Sequence, residues 1–336
     1  MSAKPYNPKT TRLRSFHDQV PAFRDGTDTP RAYLERCLEE IDNREADVKA
    51  FVTLNVEGAR AAADASTKRY TKGASLSEID GQPMGVKDLF ESEDMPTQCG
   101  SPIFAGNETG RDSALIAGLR QAGAVILGKT VTTEFAFYSP GPTRNPFDLT
   151  CTPGGSSSGS GAAVGAGFVP VAIGSQVVGS LIRPSSFNAN YGFKPSFGAI
   201  NREGAYFNLR QTALGTQAAS LTDAWTTARV ATRFAGGDPG HTAFTHTHEG
   251  KRFSTEVKVA ANAFQQFAAS RPGNAHDRPV IGYRCEKYLK FRPLGLQPAF
   301  HPGQYPGGAT GGGMHQEMIL GEPHGDAVIH DHTVFT

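Results

Sequence analysis

The chain has 336 residues, 33 basic and 32 acidic side chains, and a formal net charge of +1. This balance provides no global field that would attract nucleic acid or an anionic membrane surface. With 38% hydrophobic and 19% charged residues, the composition is that of a soluble globular protein with a sizeable core.

The cysteines and the N-terminal stretch indicate a cytoplasmic protein. The cysteines lie far apart and form no C-x-x-C pair, so we expect free thiols in a reducing compartment. The first 14 residues carry four basic side chains and no apolar run, which disfavours a secretory signal.

The first half of the chain predicts two helices and a strand. Residues 29–42 have apolar side chains at helical spacing, with Thr29 as the cap and Pro30 at the first helical position. Residues 56–70 are rich in alanine and also predict a helix. Residues 84–90 are typical of a short strand that runs into a loop.

The middle of the chain alternates helices and strands. Asp112 or Ser113 caps a helix that ends at Gly123, and a strand is predicted at 124–127. The small residues 154–161 open another helix, a buried strand follows at 168–173, and a further helix spans 221–235. This alternation predicts an α/β fold in which helices cover both faces of the sheet.

We divide the chain into a core, residues 1–239, and a C-terminal segment, residues 240–336. The second segment is rich in His, Gly and Pro, and beyond a possible helix at 253–269 much of it is expected to be loop. His246, His248, Asp331 and His332 raise the question of a metal site. His246 and His248 could both bind a metal from one strand, but no third ligand has a supporting spacing. Solvated histidines are therefore favoured, and no metal is expected.

A stretch without charge, between Asp148 and Arg183, contains two serine-rich segments. It is too rich in Gly and Ser for a membrane span, so we expect a buried core segment. Gly154-Gly-Ser-Ser-Ser-Gly-Ser160 alone is typical of a flexible turn. It lacks the Lys of a phosphate loop, and its G-x-S-x-G match at Ser157 lacks the preceding strand that a nucleophile elbow needs.

Two further features carry polar residues next to apolar ones. Ser175-Gln-Val-Val-Gly-Ser-Leu-Ile-Arg-Pro184 is either a plain strand-to-helix turn or a loop that places a serine near main-chain amides. In Gly85-Val-Lys-Asp88, Lys87 is either a buried base with a lowered pKa or an exposed lysine. On this residue alone, the exposed alternative is favoured.

Together, the three segments resemble the amidase signature family over about residues 30–239. Their order matches that family, and so does the step of 24 residues from Ser156 to Ser180. The resemblance implies a mixed sheet with helices on both faces and a cofactor-independent amide hydrolase. It implies that Ser180 is the nucleophile, that Ser156 follows a cis peptide bond and bridges to it, and that Lys87 is the base.

The resemblance also assigns supporting roles around the nucleophile. The N–H groups of residues 177–180 are expected to stabilise the oxyanion, which names Val177, Val178 and Gly179 beside Ser180. Ser157 is expected to steady the trio. Arg183 either holds a substrate carboxylate or braces the loop, and bracing is favoured.

Two differences from the family shape the functional prediction. Val178 stands where the family's common form has Gly, which predicts a reshaped oxyanion loop. The His- and Gly-rich C-terminal segment does not resemble the distal half that members of the family usually have. We therefore expect a truncated or frameshifted gene product. We predict an amidase for a small carboxamide or urea-like amide, with no cofactor, no nucleic-acid or membrane partner, and a possible homodimer. The alternatives are an impaired remnant and the amidase component of an amidotransferase complex.

Overall fold

The computed structural model describes residues 13–206 and 209–243, together with the two-residue strand Val334–Phe335. The possible helix at 253–269, the four candidate metal ligands and Cys285 lie outside these residues. The division of the chain at residue 239 stays a prediction.

Seven helices and seven strands are described, besides three short 3₁₀ segments. The helices are α1 (Val20–Asp25), α2 (Pro30–Val48), α3 (Val56–Thr71), α4 (Ala114–Gln121), α5 (Ser158–Gly165), α6 (Ile182–Phe187) and α7 (Leu221–Ala235). The strands are β1 (Phe51–Leu54), β2 (Pro83–Lys87), β3 (Val125–Thr130), β4 (Val171–Gln176), β5 (Tyr191–Lys194), β6 (Ala213–Ala218) and β7 (Val334–Phe335).

The strands form one mixed sheet in the order β1-β3-β2-β4-β6-β5-β7. The strand β2 is parallel to both of its neighbours, β3 and β4, whereas the other pairs are antiparallel. In this register Val86 lies opposite Ile173, and Lys87 lies opposite Thr130. The carboxyl ends of β2, β3 and β4 therefore meet at one edge of the sheet.

Helices cover both faces of the sheet, as predicted. Alternate strand residues point to opposite faces. Met84, Val86 and Ile173 belong to a buried cluster with α4 and α7. Leu127 and Ala172 belong to a second cluster with α2, α3 and α5. The predicted α/β class is therefore confirmed.

Side-chain caps fix the starts of the predicted helices. Thr29 accepts a hydrogen bond from the N–H of Ala32, which begins α2 as expected. Ser113 accepts from the N–H of Ile116, so Ser113, and not Asp112, caps α4. The helices predicted at 56–70 and 221–235 are confirmed.

The strand predicted at 168–173 is shifted by three residues. Phe168 and Val169 are buried, but the paired strand β4 runs from Val171 to Gln176. Pro170 has no N–H to contribute to a ladder, and it accepts only through its carbonyl, from Ala219. This shift brings Ser175 within the strand and to the sheet edge where Lys87 lies.

The stretch without charge packs into the core. All eight residues of α5 are buried. A Cβ atom on Gly159 would lie 2.2 Å from the carbonyl oxygen of Ala50, so only glycine allows this approach of helix and chain. Within the described residues, no helix is long and apolar enough to cross a membrane.

Candidate active site

Lys87 lies at the carboxyl end of β2 and is completely buried. Its Nζ lies 2.7 Å from Ser156 Oγ and 2.9 Å from Ser175 Oγ. Of the described carboxylates, none forms an ion pair with this amine. Burial without a countercharge holds the pKa of Lys87 well below its usual value, so the neutral amine is favoured. The exposed alternative is wrong.

Ser156 reaches Lys87 from the loop that precedes α5. The peptide bond between Gly155 and Ser156 is cis. The Ser156 side chain is nearly completely buried, and its carbonyl accepts a hydrogen bond of 3.1 Å from the N–H of Thr133. Ser156 is thus held by its main chain on one side, and its hydroxyl contacts Lys87 on the other.

Ser157 connects the segments that carry Ser175 and Ser180. Its N–H donates to the carbonyl of Ser180 at 2.9 Å. Its Oγ donates to the carbonyl of Ser175 at 3.2 Å and accepts from the N–H of Ser175 at 3.3 Å. Because Ser157 is completely buried and bonded to main chain, it fits a bracing role, and nothing in its surroundings resembles a nucleophile elbow.

Ser180 lies on the loop between β4 and α6 and is partly exposed. Its carbonyl is fixed by Ser157, but its hydroxyl forms no hydrogen bond with a described residue. The structure therefore brings Lys87 and Ser156 into direct contact and places Ser180 next to their loop, without a bond between the two serine hydroxyls.

The same loop presents a run of free main-chain donors. The N–H groups of Val177, Val178, Gly179 and Ser180 have no acceptor among the described residues. Val178 is 87% exposed. Neither Val178 nor Gly179 is among the described residues with positive φ, so the valine occupies its position without the backbone strain that its replacement of glycine suggested.

Two side chains hold the loop between β4 and α6 in shape. The buried Gln176 accepts through Oε1 from the N–H groups of Leu181 and Ile182, at 3.0 and 2.9 Å. The exposed Arg183 donates from Nε and Nη2 to the carbonyl of Gly155, at 3.1 and 2.7 Å. Arg183 thus ties the loop of Ser180 to the peptide that carries Ser156, which matches the bracing alternative.

A second buried lysine lies close to the site. Lys129 Nζ lies 3.0 Å from Asp88 Oδ1, and both side chains are inaccessible to solvent. Lys129 also donates to Thr97 Oγ1 at 2.8 Å. Neither this ion pair nor the contact of Ser175 with Lys87 was predicted from the sequence. Both depend on the register of β2 with its neighbours, which the local sequence does not reveal.

Cysteine and metal chemistry receive no support from the described residues. Cys37 and Cys99 are free thiols. In residues 13–206 and 209–243, no three His, Cys, Asp or Glu side chains converge as metal ligands would.

Comparison with known proteins agrees with this fold. The sequence model of the family described as Amidase matches residues 32–275, more than half of the chain. The chain therefore belongs to the Amidase family. The match confirms the resemblance found in the sequence and extends beyond its expected end at residue 239.

Several relatives share this fold or sequence. A protein of Mycobacterium bovis, named as a component of glutamyl-tRNA(Gln) amidotransferase, is 43% identical over 175 residues, which are 50% of this chain and 35% of the relative. The peptide amidase of Stenotrophomonas maltophilia is 28% identical with a TM-score of 0.61, covering 78% of this chain and 51% of that one.

A further solved structure comes from a vestigial protein complex linked to the origins of an s-triazine catabolic enzyme. It is 33% identical with a TM-score of 0.62, and the match covers 74% of this chain and 54% of that one. The chain thus spans about half the length of these solved relatives and about a third of the amidotransferase component.

Proposed function

We propose that the chain is a serine amidase that hydrolyses the C–N bond of a small carboxamide or urea-like amide and releases ammonia or an amine. One observation carries the proposal: the amine of Lys87 is buried, has no carboxylate partner among the described residues and contacts the Ser156 hydroxyl at 2.7 Å. A buried amine of lowered pKa is a base that works near neutral pH.

In the proposed mechanism, the proton moves along the three side chains. The neutral amine of Lys87 accepts the proton of Ser156 while Ser156 accepts that of Ser180. The Ser180 oxygen forms a bond to the amide carbon, and the carbonyl electron pair moves to its oxygen. Collapse of this intermediate breaks the C–N bond, and the proton returns through Ser156 to the departing amine. Water then repeats the sequence on the acyl-enzyme.

The free N–H groups of residues 177–180 support the proposed stabilisation of the oxyanion. Main-chain donors fixed before the reaction lower the barrier because they need no reorganisation when charge develops. Gln176 and Arg183 hold this loop from two sides, which favours such a fixed geometry.

The mechanism requires the Ser180 hydroxyl to come within hydrogen-bond distance of Ser156 Oγ when substrate is bound. The N–H of Ser157 already fixes the Ser180 main chain beside the Ser156 loop. We propose that rotation of the Ser180 side chain completes the path, since such catalytic bonds often tighten only in the substrate complex.

A second candidate function has the same chemistry and a different destination for ammonia. The relative at 43% identity bears the name of an amidotransferase component, and such a component would deliver ammonia to a partner. A third candidate, an impaired remnant, predicts a folded chain that does not react. Cytoplasmic location and a homodimer remain predictions.

A fluorophosphonate probe, read out by peptide mass spectrometry, separates these functions. We expect labelling at Ser180 that is abolished by Ser180→Ala and by Lys87→Ala. Labelling at Ser157 would contradict the assignment, and a folded protein without any labelling would identify a remnant. Ammonia release from a panel of small amides then tests the substrate class, because an amidotransferase component should need its partner for full activity.

A further inference from the structure

We propose that Ser175 is a positioning residue, which holds the Lys87 amine so that its lone pair points at Ser156. The inference rests on the proposed function, because a lone pair directed at Ser156 matters only if Lys87 is the base. It concerns a hydroxyl outside the trio of Lys87, Ser156 and Ser180.

The valence of a neutral amine gives the first step. Such an amine has two N–H donors and one lone pair. Lys87 Nζ has two hydroxyl neighbours among the described residues, Ser156 at 2.7 Å and Ser175 at 2.9 Å. If Ser156 is to give up its proton, the lone pair must face Ser156. The contact with Ser175 then consists of an N–H donated to the Ser175 oxygen.

The second step is that Ser175 is itself held in place. Its N–H and its carbonyl are both bonded to Ser157 Oγ, at 3.3 and 3.2 Å. Its Cα lies opposite Leu214 in the β4–β6 ladder, and only 2% of the residue is exposed. A hydroxyl fixed on a paired strand provides a reference against which the amine is oriented.

The third step concerns what happens without this hydroxyl. The Cε–Nζ bond of lysine rotates freely, and burial leaves the amine no water to bond. With Ser175 gone, the remaining N–H groups compete for the oxygen of Ser156, and the lone pair turns away from its proton. Ser175 thus selects the one rotational state in which Lys87 accepts from Ser156.

The inference predicts a shift of a measurable pKa in Ser175→Ala. A hydroxyl oxygen that accepts from the amine stabilises the ammonium form more than the neutral form. Its removal should lower the pKa of Lys87 further, whereas Ser175→Thr keeps the oxygen and should retain the wild-type pKa. Ser160→Ala is the matched control. Ser160 Oγ also contacts strand β4, but there it donates a hydrogen bond to the carbonyl of Ile173.

NMR of the full chain with [ε-¹³C]lysine measures this pKa directly, with the Lys87 signal assigned by its loss in Lys87→Met. A lower midpoint in Ser175→Ala, with unchanged midpoints in Ser175→Thr and Ser160→Ala, supports the inference. An unchanged midpoint in Ser175→Ala overturns it. If Ser175→Ala does not fold, Ser175→Gly gives the same test, because it also removes the hydroxyl oxygen and adds no other acceptor.

Labelling by the fluorophosphonate as a function of pH supplies the second readout. In Ser175→Ala the plateau rate should fall about tenfold, and the acid limb should move to lower pH together with the NMR midpoint. A fall in the plateau with an unmoved limb and midpoint would mean a merely structural role and would overturn the inference. If the midpoint moves but wild type is not labelled, the contact of Ser175 with the amine stands and the proposed amidase activity fails.

Discussion

Asp88 and Lys129 form a buried ion pair, in which Asp88 Oδ1 lies 3.0 Å from Lys129 Nζ. At most 1% of either side chain is exposed to solvent. The pair joins the residue after Lys87 to the neighbouring strand β3. Asp88 also accepts from the N–H of Gln98, and its own N–H donates to the carbonyl of Thr130. It therefore fixes the chain at the point where β2 delivers Lys87 to the site.

Removing one partner of this pair should destabilise the protein strongly. In Lys129→Met the Asp88 carboxylate stays buried without its cation, which costs about 3–5 kcal/mol in such cases. Urea unfolding followed by circular dichroism measures the loss. Arg31→Met is the control, because Arg31 is a partly exposed partner of Glu35 and Asp64, and water screens such pairs so that their loss should cost far less. Equal losses of unfolding free energy in both variants would show that burial of the pair between Asp88 and Lys129 does not increase its contribution to stability.

Lys87 should lower the stability of the fold at neutral pH. Its pKa is lowered in the folded state by burial, so between that pKa and the ordinary value of 10.5 the folded protein binds fewer protons than the unfolded chain. The contribution of Lys87 to the free energy of unfolding is therefore most favourable above pH 10.5, and it is lost as the pH falls toward the lowered pKa. At pH 7, Lys87→Met should therefore have a higher free energy of unfolding than wild type.

The difference between Lys87→Met and wild type should shrink as pH rises, by about 1.4 kcal/mol per pH unit within that window. Denaturant unfolding at several pH values from about 6.5 to about 9 measures it, since other titrating groups cancel in the comparison. Lys68→Met, which removes an exposed charge on α3, is the control. A difference that does not change with pH would show that Lys87 remains charged in the folded protein.

Most helices and the motif residues were predicted from the sequence, but α1 and several strands were not. Apolar residues at helical spacing predicted α2 and α7, a cap supported α2, and alanine-rich composition predicted α3, because these signals are local. The strand β6 is buried at all six positions and shows no alternation, so only its pairing with β4 and β5 reveals it. The same reasoning explains the shifted start of β4.

The candidate site shows the same division. Lys87 and Ser156 were identified through short motifs, and the fold brings them together across 69 residues of sequence. Ser175 and Lys129 enter the site only because β2 lies between β3 and β4 with parallel register. A motif identifies residues, whereas the register of the strands decides which further side chains lie near them.

Arg183 allows the two roles suggested by the sequence to be separated. A neutral fluorophosphonate has no carboxylate, so an arginine that binds a substrate carboxylate would not affect its reaction. An arginine that braces Gly155 should affect this reaction, because freeing the Gly155 carbonyl should displace Ser156 from the loop that carries Ser180. We expect Arg183→Met to be labelled about tenfold more slowly, as for loss of a charged hydrogen bond.

The conservative variant sharpens this test of Arg183. Arg183→Lys can donate only from a single point and should recover part of the labelling rate. Arg24→Met, which removes an exposed arginine of α1, should leave the rate unchanged. Wild-type labelling in Arg183→Met would favour the carboxylate role, and activity toward acidic amides should then fall selectively.

Gln176 should contribute both to stability and to the shape of the loop of residues 177–180, the proposed oxyanion loop. In Gln176→Met, a side chain of similar length can no longer accept from the N–H groups of Leu181 and Ile182, the first of which is buried. An unsatisfied buried donor costs about 1–3 kcal/mol, so the unfolding free energy should fall by that amount.

Gln176→Glu is the matched variant, because it keeps an oxygen acceptor at the start of α6 and should remain more stable than Gln176→Met. Thermal and urea unfolding give the stability, and the fluorophosphonate rate reports the loop. If Gln176 shapes the oxyanion loop, the rate in Gln176→Met should fall even at temperatures where the variant is fully folded. Loss of stability with an unchanged labelling rate would restrict Gln176 to a structural role, because the four N–H groups from Val177 to Ser180 would then keep their arrangement without it.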